Sequence, residues 1–449
     1  MAIVTVMGAS GTNVNVTVDG GDTLALANAY AKTLRESAPG KTFSTLQNGF
    51  NSAGVGSSVG VITVGGAYAL DGAYVDIVAG ALSGGASPAV LMAPVEIDAH
   101  EVTTPVDVIS GTLGGTTFLG GAAGGSFLAT AGNNVFIGQS GSFAINMDMG
   151  NDLVVTGGGN DTVDAGSGEN RIFLGDGSNS VDSMGTDTIV GTLGTQSVTI
   201  HAGSSLVLLG DNATVVDKAA GSIVSVGGGS TVSGGAQDRV VFTGSSGTIA
   251  GGISDTISAA GNLQVSEGNG NTISVAGSLT FLNGTGMTSV VAGQSTIFGA
   301  AGLTMTLGAS GPTLFVANAG NETLDGAQAS SPLHAFADDG NVTFVGGSGN
   351  DTLVGGTASA TMTGGAGDNL FAFTNGASSG GDNVITDFGS AAGNMVALYQ
   401  YGYQNSSALQ TILSAATIAG GNSTIQLTDS TRITFVGIAD LKTSDFTLS

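Results

Sequence analysis

The sequence predicts a mainly β protein: a parallel β-roll or β-solenoid with a small N-terminal α+β head and a C-terminal β-rich module. Glycine accounts for 79 of the 449 residues and proline for only 6, so turns are frequent while the composition is neither collagen-like nor proline-rich. Apolar residues make up 41 % of the chain, which is enough to form a core. In addition, two tracts repeat a nine-residue unit in constant phase, which is typical of a solenoid.

The first repeat tract runs from residue 120 to residue 182. In each nine-residue frame the eighth position is apolar, and in the last four frames the sixth position is Asp or Asn. The eighth positions are Phe127, Phe136, Ile145, Val154, Val163, Ile172 and Val181, and the sixth positions of the last four frames are Asp152, Asp161, Asn170 and Asn179. Since side chains alternate along a strand, this unit predicts a glycine-rich turn followed by a short strand whose eighth residue faces a core.

A second repeat tract begins with ANAGNETLD at residue 317 and resumes at residues 337–372. Its eighth positions are again apolar: Leu324, Phe344, Leu353, Met362 and Phe371. The unit GGSGNDTLV, residues 346–354, combines three glycines with an aspartate at the sixth position. The two tracts therefore predict the same turn-and-strand unit in two parts of the chain.

The carboxylates in these turns predict calcium sites. Glycine turns expose carbonyl oxygens, and Ca²⁺ binds carboxylate and carbonyl oxygens. If two units form one coil of about eighteen residues, Asp152 lies beside Asn170 and Asp161 beside Asn179, with an ion between each pair. We expect several calcium ions, with these candidate ligands along the chain: Asp152, Asp161, Asn170, Asn179, Asp187, Asp339, Asp351, Asn369, Asp382 and Asp387.

The repeat unit resembles the GGxGxDxUx nonapeptide of the RTX (repeats-in-toxin) family. GGSGNDTLV matches every fixed position of that motif, and TGGGNDTVD, residues 156–164, matches all but the first glycine. The resemblance covers roughly a fifth of the chain and implies a parallel β-roll stabilised by calcium.

The C-terminal segment resembles the module that follows RTX repeats in type I-secreted proteins. The similar stretches are GGDNVITDF (380–388), a predicted hairpin STIQLTDSTRITFVGI (423–438) and the terminal pair Asp445 and Phe446. In that family the uncleaved C-terminus is the export signal. The resemblance implies an extracellular or cell-surface location, with the type I secretion machinery as a partner.

These observations predict five segments. Residues 191–316 keep short β-branched runs, but the nine-residue phase drifts and acidic residues become sparse, so a β-sandwich stays an alternative there. The α+β head is expected to contain one helix at residues 22–41. The segments are 1–110, the head; 111–190, a calcium-binding RTX β-roll; 191–316, a metal-poor β-solenoid; 317–375, a second calcium-binding β-roll; and 376–449, the type I secretion module.

Charge and composition exclude several classes of function. The chain has 33 acidic and 8 basic residues, a net charge of −25, so it lacks the basic patch that binding to nucleic acid requires. No uninterrupted apolar run reaches the length of a transmembrane helix, so no membrane span is expected. Without cysteine, the chain has neither disulfides nor thiolate chemistry.

No motif in the chain predicts catalysis. The histidines lack the HExxH spacing of zinc proteases; they are His100, His201 and His334. GxSxG occurs at residues 56–60 and 376–380, which chance explains in a chain rich in Gly and Ser. Thr-x-Thr at residues 304–306 and 361–363 is only a weak hint of an ice-binding face. We therefore expect a protein that is not an enzyme.

The expected function is that of a secreted calcium-binding structural protein. It would fold outside the cell and assemble as a homo-oligomer or polymer into a surface layer, an extracellular matrix or a filament. Two alternatives stay open. One is a calcium-dependent adhesin that binds a cell-surface polysaccharide, and the other is a secreted hydrolase with Ser58 in the head as its nucleophile.

Overall fold

The computed structural model describes residues 2–7, 13–18, 42–62, 64–79, 92–318, 320–403 and 406–448. Strands account for 53 % and helices for 4 % of the structure, and the strands form a parallel β-solenoid of about 17 turns. The predicted mainly β fold class is thereby confirmed. The chain divides into two compact units, Met1–Gly227 and Gly228–Ser449, which we call unit 1 and unit 2.

Unit 1 consists of strands separated by turns, most of them short and two of them 14 residues long. Its strands are β1 (Ala2–Met7), β2 (Asn13–Val18), β3 (Thr42–Thr45), β4 (Gly49–Ile62), β5 (Gly66–Ala79), β6 (Val95–Asp98), β7 (Val106–Ser110), β8 (Thr116–Leu119), β9 (Gly125–Ala129), β10 (Val135–Ile137), β11 (Phe143–Met147), β12 (Leu153–Val155), β13 (Thr162–Asp164), β14 (Arg171–Phe173), β15 (Ser178–Ser183), β16 (Thr188–Gly191), β17 (Thr195–Ile200), β18 (Leu206–Leu209), β19 (Thr214–Ala220) and β20 (Ile223–Val226).

Two parallel sheets face each other in unit 1. From β6 onward each strand pairs with the strand two positions along the chain, so the even-numbered strands form one sheet and the odd-numbered strands the other. Phe136 is thus in register with Val154, and Ile145 with Val163. Each coil contributes one strand to each sheet, which is the arrangement that the nine-residue unit predicts.

The core of unit 1 lies between the two sheets. All seven eighth-position residues of the first tract are buried, as predicted. Aromatic rings stack along this core: the ring centroids of Phe118 and Phe127 lie 5.5 Å apart, and those of Phe136 and Phe143 lie 5.0 Å apart. Because each fully buried side chain of this size contributes roughly 1.5–3 kcal/mol, the repeated apolar position accounts for much of the stability of the coils.

Parallel pairing in unit 1 begins well before residue 111. Strand β3 pairs with β4, with Phe43 in register with Val59, and β5 pairs with both β6 and β7. The described residues between 42 and 110 therefore belong to parallel coils, and the predicted boundary at residue 110 does not mark the beginning of the coil stack. The helix predicted at residues 22–41 lies outside the described residues.

Unit 2 follows the same pattern with a few longer strands and one helix. Its elements are β21 (Ser230–Ala236), β22 (Arg239–Phe242), β23 (Ser246–Ala250), β24 (Thr256–Ala259), β25 (Asn262–Ser266), β26 (Thr272–Leu282), β27 (Gly286–Phe298), β28 (Leu303–Leu307), β29 (Thr313–Val316), β30 (Glu322–Asp325), β31 (Leu333–Phe336), β32 (Val342–Val345), β33 (Thr352–Val354), β34 (Ala360–Thr363), β35 (Leu370–Thr374), β36 (Asp382–Ile385), β37 (Met395–Tyr399), α1 (Ser406–Ser414), β38 (Thr417–Ala419), β39 (Asn422–Gln426), β40 (Arg432–Phe435) and β41 (Phe446–Leu448), with short 3-10 helices at Phe388–Ser390 and Thr443–Asp445.

The strands of unit 2 from β21 to β37 are again paired in parallel. The long strands β26 and β27 each contribute to both sheets, and the alternation of two sheets resumes at β28. All five eighth-position residues of the second tract are fully buried. Within each unit, the described part of residues 191–316 forms parallel coils, so the β-sandwich alternative for this segment is excluded.

The C-terminal segment forms the predicted hairpin. Strands β39 and β40 pair antiparallel, with Ser423 opposite Phe435. Strand β40 also pairs in parallel with β36, and β41 pairs in parallel with β37. The last strands of the chain thus extend the two sheets of unit 2, in addition to forming a hairpin.

Candidate metal-binding turns

Sixth-position side chains stack on one another along unit 1. The backbone N–H of Asp152 donates to Oδ1 of Asn170 at 2.9 Å, and the backbone N–H of Asn170 donates to Oδ1 of Asp187 at 2.9 Å. The same contact links the N–H of Asn134 to Asp152 at 2.5 Å and the N–H of Asp187 to Oγ of Ser205 at 3.1 Å. We call this column of five side chains, from Asn134 to Ser205, the first inner ladder.

A second inner ladder, formed by Asp161 and Asn179, uses the intervening repeat units. Oδ1 of Asp161 accepts the backbone N–H of Phe143 at 2.7 Å, and Oδ1 of Asn179 accepts the backbone N–H of Asp161 at 2.9 Å. The partners in these two contacts are 18 residues apart. The structure therefore brings Asp152 beside Asn170 and Asp161 beside Asn179, as predicted. An ion between each pair stays a prediction.

The asparagines of the inner ladders satisfy both ends of their amide groups. While Oδ1 of Asn170 accepts an N–H from the preceding coil, its Nδ2 donates to the carbonyl oxygen of Ala165 at 2.9 Å. Likewise, Nδ2 of Asn179 donates to the carbonyl oxygen of Gly175 at 3.2 Å. Each asparagine thus links its own turn to the neighbouring coil without needing a metal ion.

Asp152 has the same place in the repeat but lacks a donor group. Its side chain is only 2 % exposed, and Oδ1 accepts both the backbone N–H and the Nδ2 group of Asn134. Oδ2 has no hydrogen-bond partner among the described residues. Burial raises the pKa of Asp152 to about 6, and repulsion from the Asp187 carboxylate contributes to the increase. A buried polar atom left unpaired in this way costs roughly 1–3 kcal/mol.

Asp161 and Asp187 are also buried carboxylates. Burial raises the pKa of both, although hydrogen bonds to each carboxyl oppose the increase. Oδ2 of Asp187 accepts the hydroxyl of Ser183 at 2.6 Å. The hydroxyl of Thr156 lowers the pKa of Asp161, but by less than burial raises it. Protein donors therefore compensate Asp187 more fully than Asp152, whereas Oδ2 of Asp161, like Oδ2 of Asp152, has no hydrogen-bond partner among the described residues.

Glycines let the turns of successive coils approach one another closely. Gly166 has φ +61°, and a Cβ atom there would lie 2.1 Å from the carbonyl oxygen of Asp148, one coil earlier. A Cβ atom at Gly150, with φ +146°, would lie 2.0 Å from the carbonyl oxygen of Gly132. Only glycine fits these positions, and carbonyl oxygens line the turns where the ladder carboxylates lie.

In unit 2 the predicted ligand Asp351 is buried, and both of its carboxylate oxygens accept backbone N–H groups. Leu333 donates to Oδ1 at 2.8 Å and Gly347 donates to Oδ2 at 2.9 Å. Burial raises the pKa of Asp351 despite these contacts. Its own N–H donates to Oδ1 of Asn369 at 2.9 Å, and the N–H of Asn369 donates to Oδ1 of Asn394 at 2.9 Å. Asp351, Asn369 and Asn394 thus form a third ladder, in which each side-chain oxygen Oδ1 accepts a backbone N–H from the preceding coil.

The remaining predicted ligands lie outside the inner ladders. Asp387 accepts the N–H groups of Gly364 and Gly365, each at 2.8 Å, and so caps a turn. Asp339 is exposed and accepts the hydroxyl of Thr357 at 2.6 Å. Asp382 is exposed and forms a bidentate ion pair with Arg432. Nε of Arg432 lies 3.1 Å from Oδ1 of the aspartate, and Nη2 lies 2.9 Å from Oδ2. The structure thus does not bring these three carboxylates together with the buried ones.

Several buried acidic residues are not among the predicted ligands. Glu322 is 2 % exposed, its Oε2 accepts the N–H of Asn318 at 2.8 Å, and burial raises its pKa to about 6. It occupies the sixth position of ANAGNETLD, so the repeat itself carried the signal. The backbone N–H of Asp238 donates to Oδ1 of Asp255, 17 residues later in the chain. The backbone N–H of Asp255 donates to Oδ1 of Asn271, 16 residues later. These shorter coils explain why the nine-residue phase is lost there.

The first inner ladder fits a calcium ion better than a zinc-type site. Over the described ranges, no three His, Asp or Glu side chains converge where a metal ion could bind. A hard cation would instead have to combine one or two carboxylates with turn carbonyl oxygens. Asp152 suits that role because one oxygen is buried without a partner and a second carboxylate, Asp187, is near enough to raise its pKa.

The catalytic alternatives find little support in the described residues. Ser58 lies within strand β4, whereas a nucleophile elbow places its serine at a sharp turn between a strand and a helix. Ser378, in the second GxSxG match, is buried and donates its hydroxyl to the carbonyl oxygen of Gly355 at 2.8 Å. His201 contacts Asp182 at 2.5 Å, and His100 contacts Asp98 and Glu101. The hydroxyl of Ser378 is thus paired with a backbone carbonyl oxygen, not with a histidine.

In the part of the chain that the structure describes, no helix has the length and apolar character needed to cross a bilayer. No protein-family model, no curated protein and no solved structure matches this chain. Its likeness to the RTX family therefore depends on the repeat residues and their arrangement in the coils.

Proposed function

We propose that this chain is a secreted calcium-binding structural protein whose coils are stabilised by ions in the inner ladders. The observation that carries the proposal is the Asp152 carboxylate. It is buried, its pKa is raised to about 6, and Oδ2 has no partner within the described structure. Such a group calls for a cation or a proton, and the pH outside most cells leaves the carboxyl ionised.

Comparison of Asp152 with Asn170 shows what is missing at the aspartate. In Asn170 the Nδ2 group donates to a carbonyl oxygen of its own turn. By the symmetry of the repeat, an oxygen of Asp152 takes the place of that nitrogen. Two oxygens facing each other in a buried turn repel, and a calcium ion bound between them would replace this repulsion with attraction.

Asp152 is the residue that would hold the ion, together with carbonyl oxygens of the glycine turns, while Asp187, two coils further along the first inner ladder, adds negative charge nearby. When bound, Ca²⁺ supplies the positive charge that the buried Asp152 carboxylate needs. Because the coils assemble these ligands only when folded, binding energy becomes folding energy. Calcium sites of extracellular modules bind calcium at about 10⁻⁴ to 10⁻³ M, so extracellular calcium fills them and cytosolic calcium does not.

Export and self-assembly complete the proposal. The C-terminal residues resemble a type I secretion module, and the hairpin expected in that module is present between β39 and β40. With 33 acidic and 8 basic residues, copies of the chain repel one another at low ionic strength, and calcium would reduce that repulsion. We therefore propose a homo-oligomer or polymer in a surface layer, matrix or filament, formed after the chain has left the cell.

Thermal unfolding of four proteins tests the calcium sites. They are the unaltered chain, Asp152→Asn, Asn170→Asp and the control Glu169→Gln, which removes a charge from an exposed side chain beside the first inner ladder. We expect calcium to raise the Tm of the unaltered chain. A free calcium concentration of ten times the Kd stabilises the folded protein by about 1.4 kcal/mol per site. Glu169→Gln should respond in the same way.

The two ladder variants should change in opposite directions. In EGTA, Asp152→Asn should be more stable than the unaltered chain, because the new amide can donate to the turn, and its response to calcium should be smaller. Asn170→Asp should be less stable in EGTA by about 1–3 kcal/mol, and calcium should recover part of the loss. Equal calcium responses in the unaltered chain and in Asp152→Asn would contradict the proposal, and magnesium serves as the ion control.

A further inference from the structure

One sheet of unit 1 presents a continuous apolar row to its outer side. The row crosses β8, β10, β12, β14, β16 and β18, and parallel register stacks each member directly on the next. Its members are Leu119, Ile137, Val155, Phe173, Val190 and Leu208. We call this row, with the outward residues beside it on the same strands, the apolar sheet face.

The apolar sheet face is accessible. Ile137 is 39 % exposed, Phe173 41 % and Leu208 36 %, and on the next strand Ile223 is 43 % exposed. A single exposed aliphatic side chain on a protein surface is ordinary, whereas a contiguous row indicates a surface that another molecule covers. Repetition over six coils distinguishes this row from scattered exposed residues.

Charge on the two sheets of unit 1 is distributed unevenly. Among the outward positions of β8 to β20 on the apolar sheet face, Arg171 is the one charged residue. The other sheet carries Asp107, Asp164 and Asp182 on its strands. In a chain with a net charge of −25, the apolar sheet face is therefore a surface through which two copies can meet without opposing their carboxylates.

We propose that two copies of this chain associate laterally, with the apolar sheet face of one copy packed on that of the other. Pairing by this face is isologous and resembles the packing of two sheets about 10 Å apart in a β-sandwich. The inference deepens the proposed self-assembly, because it names the surface, and it does not depend on calcium binding to Asp152.

The size of the face sets the expected strength of pairing. Six strands, each about 4.8 Å wide in the sheet, give a length of roughly 29 Å, and three residues along each strand give a width of roughly 10 Å. Each copy then covers about 300 Å², which is below the roughly 800 Å² per partner of standard stable complexes. The pairing should thus be weak and dependent on concentration.

Sedimentation equilibrium of the full-length chain tests the pairing. We expect a monomer–dimer equilibrium for the unaltered chain at concentrations up to about 100 μM. Phe173→Glu, and independently Ile137→Lys, should raise the dimer Kd by at least about tenfold, because each places a charge within the apolar row. Ser180→Glu, on an outward position of the other sheet, is the matched control and should leave the Kd unchanged. Circular dichroism confirms that each variant is folded.

Chemical cross-linking supplies an independent readout, because the chain has no cysteine. Phe173→Cys treated with a short bis-maleimide should give a covalent dimer, and Ser180→Cys should give far less. A monomeric unaltered chain, or equal losses in Phe173→Glu and Ser180→Glu, would overturn the inference. Repeating the measurement in EGTA and in calcium separates the two proposals. A chain that dimerises but is not stabilised by calcium would contradict only the calcium sites. A chain that is stabilised by calcium but stays monomeric would contradict only this interface.

Discussion

Asparagine and aspartate differ by one group, and in the inner ladders that group decides how the turn is satisfied. The Nδ2 groups of Asn170 and Asn179 donate to carbonyl oxygens of their own turns. Asp351 reaches a similar result differently, because the N–H of Gly347 turns toward its Oδ2. Asp152 has neither solution, so its carboxylate depends on a proton or a cation.

The raised pKa of Asp152 predicts how stability depends on pH in the absence of calcium. Its folded-state pKa is about 6 and the ordinary value is 3.8, so the folded state binds more protons between these values. Stability should therefore fall as the pH rises from about 4 to about 6, and stay lower above that range. The burial of Asp161 and Asp187 acts in the same direction.

Urea unfolding in EGTA at about pH 5 and about pH 7.5 measures this effect. The midpoint should be higher at the lower pH, and Asp152→Asn should reduce the difference. Calcium should reduce it as well, because the ion binds the ionised carboxylate. A midpoint in EGTA that increases with pH would be incompatible with these buried carboxylates.

The sequence predicted which side chains enter the core more successfully than which carboxylates need an ion. Every eighth-position residue of the two tracts is buried, since an apolar residue in a strand has one favourable direction. Asp152 and Asp351 both occupy the sixth position, yet only the folded turn shows that Gly347 donates to Asp351. The backbone orientation at a glycine turn is not readable from residue types.

At the scale of the elements, each turn is shaped by close contact with the turn one coil away. Gly166 illustrates the constraint, because its left-handed φ of +61° and the carbonyl oxygen of Asp148 both exclude a side chain. Gly376 has a left-handed φ of +88° as well, but no atom lies within 4 Å of a Cβ built there. Comparison of the two glycines therefore distinguishes the cost of a positive φ alone from the added cost of a steric clash.

Substitution of these glycines by alanine should therefore have unequal effects. Gly376→Ala should cost about 1 kcal/mol, which is the strain of placing alanine at positive φ. Gly166→Ala should cost about 3 kcal/mol or more, because the coils must also separate. Urea unfolding of both variants measures the difference. Equal costs would show that stacked carbonyl oxygens do not restrict the turn.

The hairpin at the C-terminus was predictable because strand, turn and strand follow one another in the sequence. The long strands β4 and β5 were less predictable, because each runs through both sheets and their sequences do not follow the nine-residue repeat. The role of Asn394 was not predictable either, because this residue lies after the last nine-residue unit. Its Oδ1 accepts the N–H of Asn369 and its Nδ2 donates to the carbonyl oxygen of Phe388, so it continues the third ladder.

At the scale of the whole molecule, the excess of negative charge should couple folding to calcium. The 33 acidic residues repel one another in the compact state, and 8 basic residues compensate few of them. Circular dichroism in EGTA at low ionic strength should show a weakened β signal that millimolar calcium restores. Sodium chloride at the same ionic strength is the control, since it screens charge without filling sites. Equal recovery in both salts would indicate screening alone.

The spacing of 18 residues between most ladder partners in unit 1 has a consequence for how such a chain can evolve. Loss or duplication of one whole period returns every strand to the sheet it left, and the hydrogen bonds across the junction can re-form. A change of half a period exchanges the two sheets and transfers each carboxylate to the other ladder. Length is therefore a quantity that natural variation can adjust in whole steps while the architecture on either side is preserved.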